Sequence, residues 1–403
     1  MPPVAALVLF LAFQANFAEQ GMKALDEKRY DAAATAFTQA VAADPKDYSA
    51  HFNLALAYSL SGKDAEASAE YKKTLELKPD LYQAQLNLGI SLLRQKQAAE
   101  ALPYVTAAAA QKPKEYRPNY YLASALLGSG DFAKAEQAYQ TALEIDPKSP
   151  DAELGLAHAL AKQNRLADAA KHFQNAAQLN PNYRDDLLEL ATLYEAAKQP
   201  DDAIAIYRQF PGNPGAQERL GELLLASGKA ADAIAPFESS VANSPTEANR
   251  AALAEAYLKN NQPDKALPVV EAILAGDPDN FEIRMLHGRI IRDQRKFPEA
   301  AQEFGRATKL KPDSPQAWSE LAGVLVMAED YTAALAALDR IAALHAEKPG
   351  HVYLRAIVLD KTQQKRPALE SYERFLALSN GAFPNEEFKA RQRAKLLERE
   401  LSK

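Results

Sequence analysis

The chain has 403 residues, with 47 Lys and Arg against 53 Asp and Glu, and a formal net charge of −6. It contains no cysteine, which excludes disulfides, a cysteine nucleophile and a thiolate metal site, and its acidic excess gives no electrostatic reason to bind nucleic acid. Alanine makes up roughly a fifth of the sequence, which favours many closely packed helices over the two or three globular domains that the length alone suggests.

The chain begins with an apolar segment, residues 1–13. Val4 to Phe13 are ten consecutive apolar residues, too few to span a bilayer as a helix but enough for the core of a signal peptide. The first basic residue is Lys23, and no good small-x-small cleavage site follows the segment, so two interpretations stay open. Export to the periplasm or the cell exterior is favoured, and a cytoplasmic protein whose first repeat is capped by this segment is the alternative. No integral membrane span is predicted.

A proline recurs at nearly constant spacing through most of the chain. Five are evenly spaced, and three more resume almost the same interval after one longer step. They are Pro45, Pro79, Pro113, Pro147 and Pro181, followed by Pro245, Pro278 and Pro312. With each proline at position 32 of a unit, the chain divides into eleven units. They are 14–47, 48–81, 82–115, 116–149, 150–183, 184–213, 214–246, 247–280, 281–314, 315–348 and 349–382.

Equivalent positions of the units carry the same kinds of residue. Position 8 is Ala or Gly and position 20 is Ala in all eleven, and position 24 is aromatic in eight, as in Gly21, Ala33 and Phe37 of the first unit. Helical spacing of apolar residues on both sides of a short polar turn predicts two helices per unit. Small residues let the helix backbones approach closely, and stacking of the units is expected to form one continuous core.

A unit of about 34 residues with these features and a proline at position 32 resembles the tetratricopeptide repeat. The resemblance covers residues 14–382. It implies an all-α fold, a right-handed superhelical α-solenoid of helix-turn-helix repeats whose first helices line a concave groove.

Unit six, 184–213, is the shortest of the eleven and ends in Phe210-Pro-Gly-Asn-Pro ahead of Gly215. Two prolines and two glycines cannot continue a helix, so its second helix is predicted to stop early. The shortening divides the repeats into a block of units 1–6 (14–213) and a block of units 7–11 (214–382). Either a kink between the blocks or a tolerated loop deletion would explain it.

The C-terminal segment, 383–403, is predicted to form a helix that caps the open end of the repeats. Asn385 with the two glutamates after it is typical of a helix start. The predicted apolar set is Phe388, Leu396, Leu397 and Leu401.

The sequence contains no constellation typical of catalysis. There is no phosphate loop, no His-Glu-x-x-His motif and no pair among the six histidines at a spacing of four. No catalytic residue, cofactor or metal site is therefore predicted, and the expected protein is not an enzyme.

The family resemblance implies that first-helix positions 2, 5, 6, 9, 12 and 13 face the groove. Asn53 and Asn87 occupy position 6 of adjacent units, where an amide could donate to and accept from the backbone of an extended peptide. Apolar and aromatic candidates lie beside them. These candidates are Phe52, Leu86, Tyr120 and Tyr121.

Charged residues at groove positions predict a change of sign along the C-terminal repeats. Acidic residues are expected in units six to eight, and unit nine then brings Arg284, Arg289 and Arg292. Such segregation could orient a partner. The acidic set is Asp185, Glu189, Glu195, Glu218, Glu222 and Glu255.

These features predict a non-catalytic protein–protein interaction scaffold that binds peptide segments or partner proteins in its groove. No nucleic acid is expected among its partners. The alternative is an accessory or assembly subunit of a multiprotein complex, or of a separate enzyme such as a glycosyltransferase. The sequence names neither the partner nor the oligomeric state.

Overall fold

The computed structural model describes residues 16–402, which form 23 α-helices and no strands and are about 80% helical. Helix α1 covers residues 16–26 at the start of the described range. The others are α2 (Tyr30–Ala43), α3 (Tyr48–Leu60), α4 (Asp64–Leu77), α5 (Tyr82–Arg94), α6 (Ala98–Gln111), α7 (Tyr116–Gly128), α8 (Phe132–Ile145), α9 (Pro150–Lys162), α10 (Leu166–Leu179), α11 (Asp186–Ala196), α12 (Pro200–Tyr207), α13 (Pro214–Ala226), α14 (Ala230–Asn243), α15 (Glu247–Lys259), α16 (Pro263–Gly276), α17 (Phe281–Asp293), α18 (Phe297–Leu310), α19 (Pro315–Met327), α20 (Tyr331–Ala343), α21 (Pro349–Lys361), α22 (Lys365–Ser379) and α23 (Pro384–Leu401).

The helices confirm the repeat predicted from the sequence. Each of the eleven units contains two helices, and in nine units the first helix starts at the first residue of the unit. Helices contact chiefly those next to them in sequence, as a helical repeat solenoid requires. The apolar segment 1–13 lies outside the described residues, and none of the described helices is long and apolar enough to cross a membrane.

The small residues at positions 8 and 20 are the points of closest packing. All eleven position-20 alanines are 0% exposed. A Cβ atom added at the position-8 glycines Gly21, Gly221 or Gly288 would lie 2.6–2.7 Å from the position-24 phenylalanine of the same repeat. The ring at position 24 therefore fills the space that the missing side chain leaves.

The turn between the paired helices has a feature that the sequence did not indicate. Position 15 has a positive φ in every unit, between 55° and 88°. Only three of these residues are glycine, although the left-handed conformation costs an L-residue roughly 1–2 kcal/mol. They are Lys28, Gly62, Lys96, Gly130, Asn164, Lys198, Gly228, Asn261, Arg295, Glu329 and Gln363.

Position 4 ties several first helices to the preceding repeat. In four first helices, the position-4 side chain hydrogen-bonds to the carbonyl oxygen of the position-32 proline, six residues earlier, at 2.8–3.1 Å. A fifth first helix makes the same contact through Arg284. Arg284 is one of these residues, and it also donates to Glu303 Oε2 at 2.7 Å. The expectation that Arg284 faces the groove was wrong, because its side chain turns toward its own second helix and is only 8% exposed. The five residues are His51, Gln85, Asn119, Arg284 and Trp318.

The described chain forms two compact units that divide between Ile206 and Tyr207. The division falls at the end of α12, which has 8 residues and stops early, as expected from the prolines and glycines that follow. The loop after it is anchored, since Phe210 is buried and its carbonyl accepts a hydrogen bond from Gln217 at 3.1 Å. The block boundary at 213/214 stays a prediction.

Helix α23 covers the last repeat with a different face from the one predicted. Ala390, Ala394 and Leu397 are buried against α21 and α22, whereas Phe388 is 63% and Leu396 is 47% exposed. Each residue advances about 100° around a helix, so residues 388 and 396 lie well away from the buried stripe. The predicted apolar set was therefore wrong for these two residues and for Leu401, which is 40% exposed, and right for Leu397.

Candidate functional site

The N-terminal candidate residues lie on three first helices of the first compact unit. Asn53 and Phe52 are on α3, Asn87 and Leu86 on α5, and Tyr120 and Tyr121 on α7. Phe52 and Tyr121 pack against one apolar cluster, built mainly from α4, α5 and α6. We call the surface formed by these six residues the α3–α5–α7 face.

The two asparagines of this face are partly exposed. Asn53 makes no hydrogen bond to another described residue. The Asn87 side chain forms a hydrogen bond of poor geometry with the buried Tyr71 hydroxyl. Burial raises the pKa of Tyr71, and the neighbouring Asn87 side chain opposes that rise. Asn53 thus keeps its full hydrogen-bonding capacity for a ligand, and Asn87 keeps the part that Tyr71 does not use.

The apolar candidates differ in what they can offer. Phe52 is partly exposed and its ring lies 5.7 Å from that of Tyr71. Leu86 is only 4% exposed, because Tyr82 and Tyr121 pack over it. Leu86 therefore packs beneath the Tyr121 ring and has little exposed surface with which to contact a ligand.

Tyr120 is the centre of a tyrosine cluster that the sequence analysis did not find. Its ring lies 5.6 Å from Tyr116, 5.1 Å from Tyr121 and 6.1 Å from Tyr139. Gly155 makes room for this cluster, since a Cβ there would lie 2.2 Å from Tyr139 Cζ. The cluster could have been predicted from the sequence, because tyrosine occupies positions 1, 5, 6 and 24 of one unit.

Burial raises the pKa of phenols in this cluster above the ordinary value of 10. It raises the pKa of Tyr116 to about 12, an effect that the hydrogen bond to Ser149 opposes. Burial also raises the pKa of Tyr120. The cluster therefore offers flat apolar rings and neutral hydroxyl groups, and it carries no negative charge.

The C-terminal candidates Arg289 and Arg292 lie on α17 and share one carboxylate. Arg289 Nε donates to Glu320 Oε1 at 3.0 Å, and Arg292 Nη1 donates to Glu320 Oε2 at 2.5 Å. Glu320 occupies position 6 of the next unit, the same position as the two asparagines, and the sequence analysis missed it. Arg292 also pairs with Asp293 at 2.9 Å, so two carboxylates balance the charges of the two arginines.

Three of the six acidic residues predicted for the groove lie beside a basic side chain. Glu222 pairs with Arg219, Glu255 lies 2.9 Å from Lys259, and Glu189 lies 3.6 Å from His158. Surface pairs of this kind contribute little to stability, but they reduce the field that an acidic surface would present to a partner.

Several histidines are held by carboxylates in structural pairs. His51 Nδ1 lies 2.5 Å from Glu70, and His172 Nδ1 lies 2.5 Å from Glu153. Within residues 16–402, no group of three or more His, Asp or Glu side chains is arranged to hold a metal ion.

The chain belongs to the tetratricopeptide repeat family. One tetratricopeptide repeat model matches residues 92–141, 126–172, 160–210 and 224–290, and a second matches 19–82, 61–116, 188–248 and 287–351. Together they cover residues 19–351 without a gap. The repeat architecture supports a protein-interaction scaffold as the general class of function.

Individual relatives match parts of the chain. It is 31% identical over 141 residues to DnaJ homolog subfamily C member 3 of Mus musculus, which is 30% of this chain and 27% of that protein. The chain thus spans about a quarter of the curated relative that it matches.

Two solved structures illustrate the structural matches. A structure of MamA (residue 41 to the end) from Desulfovibrio magneticus is 23% identical and covers 42% of this chain and 96% of its own, with a TM-score of 0.40. YrrB, described as a TPR protein with an unusual peptide-binding site, is 18% identical and covers 45% and 90%, with a TM-score of 0.40.

Proposed function

We propose that the protein is a non-catalytic scaffold whose α3–α5–α7 face binds an extended peptide segment of a partner protein. The observation that carries this proposal is the pair Asn53 and Asn87. Both occupy the same position of adjacent repeats and both are partly exposed. Asn53 makes no hydrogen bond within the described chain, and Asn87 makes one of poor geometry with Tyr71.

A peptide backbone is the ligand that suits two such amides. Each amide can donate to a carbonyl group and accept from an N–H group of the peptide. The pair would therefore bind the peptide backbone whatever side chains the peptide carries. Phe52, Tyr120 and Tyr121 supply partly exposed rings on the same face. Their flat surfaces would pack against apolar side chains of the peptide.

Peptide binding can be tested with an array of short extended peptides. The full chain is expected to bind a subset of them, and Asn53→Ala combined with Asn87→Ala should weaken that binding about tenfold to 100-fold, because each lost hydrogen bond contributes about 0.5–1.5 kcal/mol. The same peptides with N-methylated backbone amides should bind as weakly to the unaltered protein.

A matched double variant, Asn175→Ala with Asn243→Ala, removes two amides from the second helices α10 and α14 and should bind like the unaltered protein. Tyr120→Ala with Tyr121→Ala tests the aromatic part of the face. Full binding by the Asn53/Asn87 variant, with unchanged circular dichroism, would show that the peptide binds elsewhere.

A further inference from the structure

Helix α23 carries a second exposed surface, distinct from the α3–α5–α7 face and within the second compact unit. Its inner side is buried through Ala390, Ala394 and Leu397. Its outer side presents Phe388 and Leu396, and Phe388, at 63%, is the most exposed large apolar side chain among the described residues. The packing of the last repeat uses neither of these two residues.

Basic side chains surround the two apolar ones. Four cations and two anions, Glu398 and Glu400, lie on the exposed side of the helix, and Glu400 is paired with Lys365 at 3.0 Å. Arg391 is paired with Glu387 at 2.9 Å, whereas the other three make no ion pair within the described residues. This local excess of positive charge contrasts with the net charge of −6 for the chain. The four cations are Lys389, Arg391, Lys395 and Arg399.

The shape of this face distinguishes between anionic partners. Phe388 and Leu396 are two helical turns apart, about 12 Å along the axis, and they project from a convex helix surface. A folded protein partner would need two matching pockets at this spacing. A bilayer interface yields to projecting side chains and accepts an aromatic ring at headgroup depth, while long Lys and Arg stems extend their charges toward anionic headgroups.

We propose that the outer face of α23 docks on the anionic lipid headgroups of a membrane surface. Phe388 and Leu396 enter the interface, and Lys389, Lys395 and Arg399 supply the electrostatic attraction. This is peripheral binding by a helix that stays packed on the last repeat. It is independent of peptide binding at the α3–α5–α7 face.

Co-sedimentation of the full chain with vesicles tests the proposal. Binding is expected to phosphatidylcholine vesicles that contain about 30% phosphatidylserine and not to pure phosphatidylcholine, because surface attraction is worth about 1 kcal/mol for each basic residue. The combined change Lys389→Gln, Lys395→Gln and Arg399→Gln should weaken binding roughly 100-fold, about fivefold for each charge. Raising the salt concentration from ~0.1 M to ~1 M should release the protein by screening.

A control variant that loses the same number of positive charges elsewhere distinguishes an effect of this face from an effect of net charge. Three exposed lysines on other second helices are replaced by glutamine, which should leave vesicle binding unchanged. They are Lys73, Lys171 and Lys309. Circular dichroism and the thermal midpoint should be the same for both triple variants, since all six residues are exposed.

The apolar contribution has its own readout. Phe388→Ala should weaken vesicle binding, whereas Leu179→Ala, an equivalent loss of an exposed side chain on α10, should not. The emission of a tryptophan introduced by Phe388→Trp should shift to the blue with anionic vesicles and not with pure phosphatidylcholine vesicles. An unchanged emission on binding would contradict insertion of residue 388.

Three results would overturn the proposal. They are no binding to phosphatidylserine vesicles at ~0.1 M salt, an equal loss of binding in the control triple variant, and binding to poly-glutamate but not to vesicles. The last result would instead assign the face to an acidic protein partner.

Discussion

At the residue scale, the fold depends on complementary sizes at positions 8 and 24. The position-8 glycines face a phenylalanine ring in three repeats, and Gly89 faces Val105 in a fourth, where an added Cβ would lie 2.3 Å from a valine methyl group. The interior is close-packed, so such a side chain could enter only by displacing its neighbour. A small residue at position 8 is therefore a packing requirement and gives no information about function.

Two glycines of neighbouring first helices test this argument. Gly288→Ala should lower the free energy of unfolding by about 1–3 kcal/mol through overpacking against Phe304. Gly323→Ala should raise it by about 0.5–1 kcal/mol, because its Cβ would meet nothing within 4 Å and alanine has the better helix propensity. Urea unfolding of both variants measures the difference, and equal effects would contradict the packing explanation.

At the element scale, the start of α21 depends on a neutral histidine. His351 Nδ1 accepts a hydrogen bond from the Lys348 backbone N–H at 3.0 Å. Its Nε2 lies 3.1 Å from Ser319 Oγ, which donates its own proton to the Pro315 carbonyl, so Nε2 is the donor in that contact. Burial first, and the charge of Lys348 second, lower the pKa of His351 below its ordinary value of 6.5.

Acidification should therefore loosen α21. The pKa of His351 is lower in the folded state than in the unfolded chain, so its contribution to stability is complete above about pH 6.5 and is lost as the pH falls toward the folded-state pKa. Glutamine at this position can accept the same backbone hydrogen bond without titrating. Urea midpoints at about pH 7.5 and about pH 5.5 should differ less for His351→Gln than for the unaltered protein, and an identical difference would refute the assignment.

At the scale of the whole molecule, stability is distributed over neighbouring repeats. Helices contact mainly their sequence neighbours, and the described chain divides into two compact units at Ile206/Tyr207. In such an arrangement a local defect is expected to propagate through adjacent interfaces only.

Hydrogen exchange can follow one core defect. Leu88 is fully buried in α5, and Leu88→Ala should cost about 2–5 kcal/mol. Amide protection should fall in α4 to α7 and stay unchanged in α17 to α22. The exposed Leu77 provides the control, since Leu77→Ala should change neither region. Loss of protection throughout the chain would indicate a single cooperative unit.

The sequence by itself determined the repeat, its register and its closest packing points. Positions 8, 20, 24 and 32 repeat at a fixed interval, and the contacts they make are local, so they recur in every unit whatever lies elsewhere. It could not determine the left-handed residue at position 15, because Lys, Arg, Glu and Gln occupy it as well as Gly and Asn.

Only the tertiary structure decided which candidate side chains remain available. Leu86 is covered by Tyr121, Arg284 turns inward to Glu303, and Arg289 shares Glu320 with Arg292. These outcomes depend on partners in other helices, well separated in sequence, and on how each helix is rotated against its neighbours. The same rotation leaves Phe388 exposed on α23, since a residue's place in the apolar pattern does not fix which face the neighbouring helix covers.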